Sequence, residues 1–182
     1  AARADRRTHA VSPEIAMTPL DAVDLVLAST SRYRRELLAR LTPDFRVLAP
    51  DVDEKPLPDE GPTALADRLA LAKAQAAAAK NPGAIVIGSD QTADLEGRAL
   101  GKPGSVEAAC AQPAACSGRT VTFHTGLCVI DARHSPHRVL AARDATHVHV
   151  RTLYAAAIAR YVERERALDC TGSFKWDRLG TD

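Results

Sequence analysis

Three short stretches of this chain bring together side chains able to bind and activate a phosphorylated ligand. In Leu25-Val-Leu-Ala-Ser-Thr-Ser-Arg-Tyr-Arg-Arg-Glu-Leu-Leu38, a short apolar run stops at three hydroxyl residues and a helical pattern follows. Ser31 is a natural N-cap, and Arg34 stands where a capping box would place Glu or Gln, with Arg35 next to it. Free N–H groups of a first helical turn and two guanidinium groups then converge on one spot, which suits a polyphosphate. The same segment also reads as an ordinary capped helix with two solvated arginines. In the second stretch, Ser89-Asp90-Gln91, Asp90 emerges where a buried strand, 84–88, gives way to a loop, the place where ligands gather in α/β sheets. A carboxylate there holds a divalent cation through oxygen or accepts a proton from water; its plain alternative is a turn-capping Asp. The third is the acidic loop Asp51-Val-Asp-Glu54. Next to Asp90, its Asp53 and Glu54 would form a Mg²⁺ or Mn²⁺ site; apart from it they are a solvated loop.

Two lysines add positive charge. Lys73 lies on the flank of an apolar helical stripe, where its stem packs and its ammonium reaches either a phosphate or water. Lys102, in Gly101-Lys102-Pro103, has a restrained backbone and by itself reads as a turn lysine.

The elements that must position these groups alternate. Strand 24–28 leads to helix 32–41, with Leu37, Leu38 and Leu41 toward the core, then an extended run at 45–49. Pro62 opens a helix to about Lys80, with Leu65, Leu69, Ala72 and Ala76 along one stripe. Strand 84–88, a hairpin turn at Glu96-Gly97, and helix 105–116, which Pro113 should bend or shorten, come next. Strands 120–131 and 138–151 and helix 155–164 complete the pattern, which indicates α/β architecture.

Composition narrows the classes. With 24 basic and 23 acidic residues the net charge is +1, which argues against partnership with a nucleic-acid polymer or a membrane surface. No apolar stretch approaches the roughly 20 residues of a membrane helix. The four cysteines form no CxxC pair and read as reduced thiols in a cytoplasmic protein. Residues 1–16 lack the apolar segment of a secretory signal and read as an upstream extension.

In order along the chain, Leu-Ala-Ser-Thr-Ser-Arg-Tyr-Arg-Arg-Glu-Leu-Leu, Asp-Val-Asp-Glu, Ala-Leu-Ala-Lys-Ala, Ile-Gly-Ser-Asp-Gln, Gly-Lys-Pro, Cys-Ser-Gly and Val-Thr-Phe-His-Thr-Gly-Leu resemble the Maf family of nucleoside triphosphate pyrophosphatases. The resemblance implies an inosine triphosphate pyrophosphatase-like, two-lobed α/β fold with a mixed twisted sheet and a central cleft. It implies a divalent metal, Mg²⁺ or Mn²⁺, and hydrolysis of a nucleotide between its α and β phosphates; a homodimer is compatible with it. Ser31, Arg34 and Arg35 are then expected to hold the triphosphate, Asp90 to be the proton acceptor, and Asp90 with Glu54 to hold the metal. Lys73 and Lys102 complete the phosphate environment. Ser89-Asp90-Gln91 and Gly172-Ser173-Phe174-Lys175 resemble the 7-methyl-GTP branch, where the dTTP/UTP branch has Asp-Thr. Tyr33, Gln91 and Asp177 fall where that branch sets base specificity. Alternatives are a dTTP/UTP pyrophosphatase and a non-catalytic nucleotide-binding regulator of cell division.

On this reading residues 1–22 are a disordered leader and residues 23–182 a single Maf-like domain, shortened at its C-terminus relative to the family. A missing strand is expected to leave an unpaired sheet edge.

Overall fold

The computed structural model describes residues 22–165. Residues 1–21, Cys170, Asp177 and the Gly-Ser-Phe-Lys segment lie outside them, so the expected leader and C-terminal shortening fall there too. The order is β1 (Leu25–Ala28), α1 (Arg32–Ala39), β2 (Arg46–Leu48), α2 (Pro62–Ala78), β3 (Ile85–Leu95), β4 (Arg98–Leu100), α3 (Val106–Cys116), β5 (Thr120–Asp131), β6 (Arg138–His149) and α4 (Ala155–Glu165). This is the alternation that the apolar patterning implies, in a mixed sheet of order β2-β1-β3-β5-β6. β1 is parallel to β2 and β3, while β3, β5 and β6 are antiparallel.

β3 organises the molecule. One edge pairs with β5 from Ile85 to Asp94. The other pairs with β1 only as far as Gly88, and with β4 only from Ala93 onward. Residues 89–92 therefore have no strand neighbour on that second edge. Two apolar clusters lie on either side of this gap. One joins Val26, Val86, Cys128 and Ile130 to the alanines of α2. The other joins Ala93, Leu95, Cys116, Val121 and Phe123. Two lobes share β3 and β5, and a cleft opens between them.

Several expectations are corrected. β3 does not end at Gly88: Asp90 lies within the strand, opposite Gly126, because pairing with β5 carries the backbone onward past β1. The buried face of α2 runs through Leu65, Ala66, Leu69, Ala70, Lys73, Ala74, Ala77 and Ala78, while Ala72 and Ala76 are only half-buried. The cause is close packing. A Cβ on Gly88 would stand 2.3 Å from the Ala70 carbonyl oxygen, and one on Gly126 would stand 2.5 Å from that of Ala66. The two glycines let α2 settle onto β3 and β5 through its smallest side chains.

Helix α1 buries no residue, contrary to the expected core stripe; Leu37 lines the cleft and Leu41 is exposed. This two-turn helix stands at the cleft rim and does not lie on the sheet. Pro113 does not shorten α3, and its ring is fully buried, which offsets part of the lost hydrogen bond. Among the described residues β6 is an edge strand, exposed along almost its whole length. No described helix is long and apolar enough to cross a membrane. Cys110, Cys116 and Cys128 are free thiols, the latter two buried.

Candidate active site

The turn after β1 builds one wall of the cleft. Ser31 caps α1, its Oγ accepting from the Arg34 backbone N–H at 3.4 Å. Ser29 Oγ accepts from the Ser31 N–H at 3.1 Å and from Arg34 Nη1 at 3.5 Å. The Arg34 side chain is thereby turned inward, half-buried in the cleft. Burial lowers its pKa, against the opposing charges of Asp90 and Glu54. Arg35 is exposed and does not line the cavity, whereas Arg32 does while pairing with Glu36 at 2.7 Å. Tyr33 stands half-exposed at the rim.

Opposite, α2 delivers Lys73 into the sheet. This lysine is 5% exposed, and its Nζ lies 2.6 Å from both Asp90 Oδ1 and Glu54 Oε1. Such burial of a charged group is tolerated because two carboxylates meet it. The Lys73 hydrogen bond is also the main cause holding the Glu54 carboxyl below the usual range, with Lys102 and Arg34 adding to it. Lys102 Nζ approaches Glu54 Oε2 at 3.9 Å. Asp53 takes no part; its Oδ1 accepts from the Lys55 N–H at 3.0 Å.

α2 also fixes the acidic loop. Arg68 Nε pairs with Glu60 at 2.5 Å, and its Nη2 donates to the Lys55 carbonyl at 3.0 Å. Glu60 also accepts from the Leu57 N–H at 3.0 Å. One helix thus carries the lysine and clamps the loop that carries its second acid.

The cavity measures about 1080 Å³, the upper end of small-molecule sites. Ser31, Arg34, Glu54, Lys73, Asp90 and Lys102 line it together, as do Tyr33 and Gln91. Because residues 89–92 border the gap along β3, both faces of that segment reach the same space. Leu65, Leu69 and Leu100 give it an apolar part. Ser29, Thr30, Arg32, Ser89, Thr92 and Thr125 also line the cavity, and sequence patterning gave them no site role. Ser29 had a signal in the hydroxyl run Ser29-Thr30-Ser31; Thr125 had none short of the strand register, which sets it directly opposite Gln91.

Four cations, Arg32 among them, against two carboxylates leave a positive cleft suited to an anionic ligand. The donor chemistry also fits a hard divalent ion, since Glu54 and Asp90 both present oxygens to one point of positive charge. Among the described residues no three His, Cys, Asp or Glu side chains are grouped to hold a metal. Two carboxylates completed by phosphate oxygens and water match the way Mg²⁺ is held beside nucleotides.

Residues 24–181 match the model of a family described as "Maf-like protein". The chain is 56% identical over 156 residues to a "7-methyl-GTP pyrophosphatase" of Xanthomonas oryzae pv. oryzae, covering 86% of this chain and 80% of that one. Proteins of the same name are 51% identical in Aromatoleum aromaticum and 49% in Bordetella pertussis; each alignment covers 86% of this chain, and 79% and 76% of the relatives. Among solved structures, the Staphylococcus aureus Ham1 protein is a distant likeness, with a TM-score of 0.43 at 21% identity over 69% of this chain and 71% of that one. With a family model that spans nearly the whole chain, and relatives about half identical over most of it, this protein belongs to the Maf-like family.

Proposed function

We propose that this protein is a nucleoside triphosphate pyrophosphatase that hydrolyses 7-methyl-GTP to 7-methyl-GMP and pyrophosphate. The observation that carries the reading is the Glu54–Lys73–Asp90 array, with contacts of 2.6 Å, in a cleft whose other charged groups are cations. Arg34, the N–H groups of the first turn of α1, and Lys102 hold the phosphate tail. Lys73 orients the Asp90 carboxylate, which accepts a proton from water as the water oxygen bonds to the α phosphorus. The bond from that phosphorus to the bridging oxygen breaks, and the charge that develops on pyrophosphate is met by Arg34 and Lys102. Asp90 and Glu54 would hold a divalent ion, which would supply Lewis-acid polarisation there.

Base selection rests on the other groups of the cleft. Tyr33 offers an aromatic face to a cationic methylated purine, and Gln91 offers an amide beside Asp90. The names of relatives half identical to this chain support this substrate. Action in the cytoplasm belongs to the same proposal.

Hydrolysis of 7-methyl-GTP in ¹⁸O-water with Mg²⁺ tests which phosphorus is attacked. The label is expected in 7-methyl-GMP and not in pyrophosphate. Label in pyrophosphate, or release of orthophosphate and a diphosphate, would refute attack at the α position.

A further inference from the structure

We propose that Thr125 is a positioning residue for base selection, its hydroxyl fixing the side-chain amide of Gln91 so that the amide oxygen is the group offered to the base. The inference rests on the function proposed above and gives its specificity a mechanism. Gln91 on β3 and Thr125 on β5 are directly opposite in register, so both side chains leave the sheet on one face. Gln91 Nε2 donates to Thr125 Oγ1 at 2.9 Å. With one of its two N–H donors held by Thr125, the amide is fixed in orientation and keeps its oxygen for the cavity, where no described group occupies it. That acceptor matches the adjacent N1–H and N2–H donors of a guanine edge. Uracil and thymine offer one N–H flanked by two carbonyl oxygens, for which an acceptor is the poorer partner.

Gln91 is exposed, and its long side chain would sample many rotamers if untethered. Thr125 is a rigid tether. It is half-buried, paired with Gln91 on one side and Asp144 on the other, and followed by Gly126, which sits beneath the Ala66 carbonyl of α2. The packing that brings Lys73 to Asp90 thus also holds the strand from which the amide is aimed.

Thr125→Val keeps the shape and removes the acceptor; Thr125→Ser returns it. In ¹⁵N spectra of the nucleotide-free protein, the Gln91 side-chain amide signals should move toward free-glutamine positions in Thr125→Val and recover in Thr125→Ser. The ratio of kcat/KM for 7-methyl-GTP over UTP should fall about tenfold in Thr125→Val, mostly through KM, and recover in Thr125→Ser. Against a Gln91→Ala background, Thr125→Val should change this ratio no further. Unchanged amide signals, an unchanged ratio, or an effect that persists in Thr125→Ser or adds to Gln91→Ala would overturn the proposal. If the unmodified protein prefers UTP, the 7-methyl-GTP reading fails by itself, and the amide signals with the double mutant still decide the role of Thr125.

Discussion

A lysine ammonium taken out of water is costly unless opposite charge meets it, and in this fold two acids from distant parts of the chain meet Lys73 at once. The same contacts define the chemistry. They hold Asp90 in one orientation and bring Glu54 to it from the loop before α2. Asp90→Asn keeps the shape and removes the proposed proton acceptor and one carboxylate charge, while Lys73 keeps Glu54 as a partner. Turnover should fall at least about a hundredfold, the usual scale for a lost general base, with the thermal melt showing a folded protein. Near wild-type turnover in the folded variant would take Asp90 out of the mechanism. Ser31, Arg34, Glu54, Lys73, Asp90 and Lys102 were all visible in the sequence as chemistry-bearing types, because carboxylates, lysines and a capped arginine turn announce themselves locally. That Arg34 and not Arg35 turns inward was not visible, since it depends on the Ser29 hydroxyl and on the direction in which the short α1 leaves β1. Thr125 was hidden for a similar reason: its importance comes from a partner 34 residues away in sequence.

At the scale of elements, the site depends on how closely α2 approaches the sheet. Gly88 and Gly126 are two places where strand backbone lies so close to helix backbone that a Cβ would not fit. Gly88→Ala would put a methyl group 2.3 Å from the Ala70 carbonyl oxygen and 2.6 Å from the Ala74 nitrogen, backbone atoms that cannot move without lifting the helix. Overpacking of this kind costs about 1–3 kcal/mol, and for a chain of this size Tm should drop by about 2–4 °C per kcal/mol. Activity should fall with it, because Lys73 withdraws from Asp90. Gly101→Ala, whose added methyl group meets nothing within 4 Å, is the control and should melt within a degree or two of the parent. A melt of Gly88→Ala equal to that of the control would show that this contact does not set the helix position. The order and type of the described elements were legible from apolar periodicity and from Gly and Pro punctuation, except β4, which was signalled only by the hairpin turn at Glu96-Gly97. The rotation of α2 was not. An alanine-rich helix has apolar residues on several faces, so its period does not single out one, and the decision falls to the glycines of the two strands beneath it. The extension of β3 through Asp90, Gln91 and Asp94 was equally hidden, because these residues have low strand preference and long-range pairing with β5 overrides it.

Across the whole molecule, two lobes share two long strands, and the gap in pairing along one edge of β3 becomes the floor of the cleft. In a chain of net charge +1, Arg32, Arg34, Lys73 and Lys102 line one cleft with only two carboxylates, which suits the triphosphate proposed for it. A cleft of about 1080 Å³ with a charged part and an apolar part accounts for a ligand with a polyphosphate tail and a base. This geometry is proposed to release pyrophosphate from a methylated purine nucleotide. Pyrophosphate release measured with Mg²⁺ and with Mn²⁺ across 7-methyl-GTP, GTP, dTTP and UTP tests it most directly. Release is expected from all that bind, with 7-methyl-GTP giving the highest kcat/KM. The highest value for dTTP or UTP would contradict the assigned base, and no pyrophosphate from any of the four would contradict the enzymatic reading of the cleft itself.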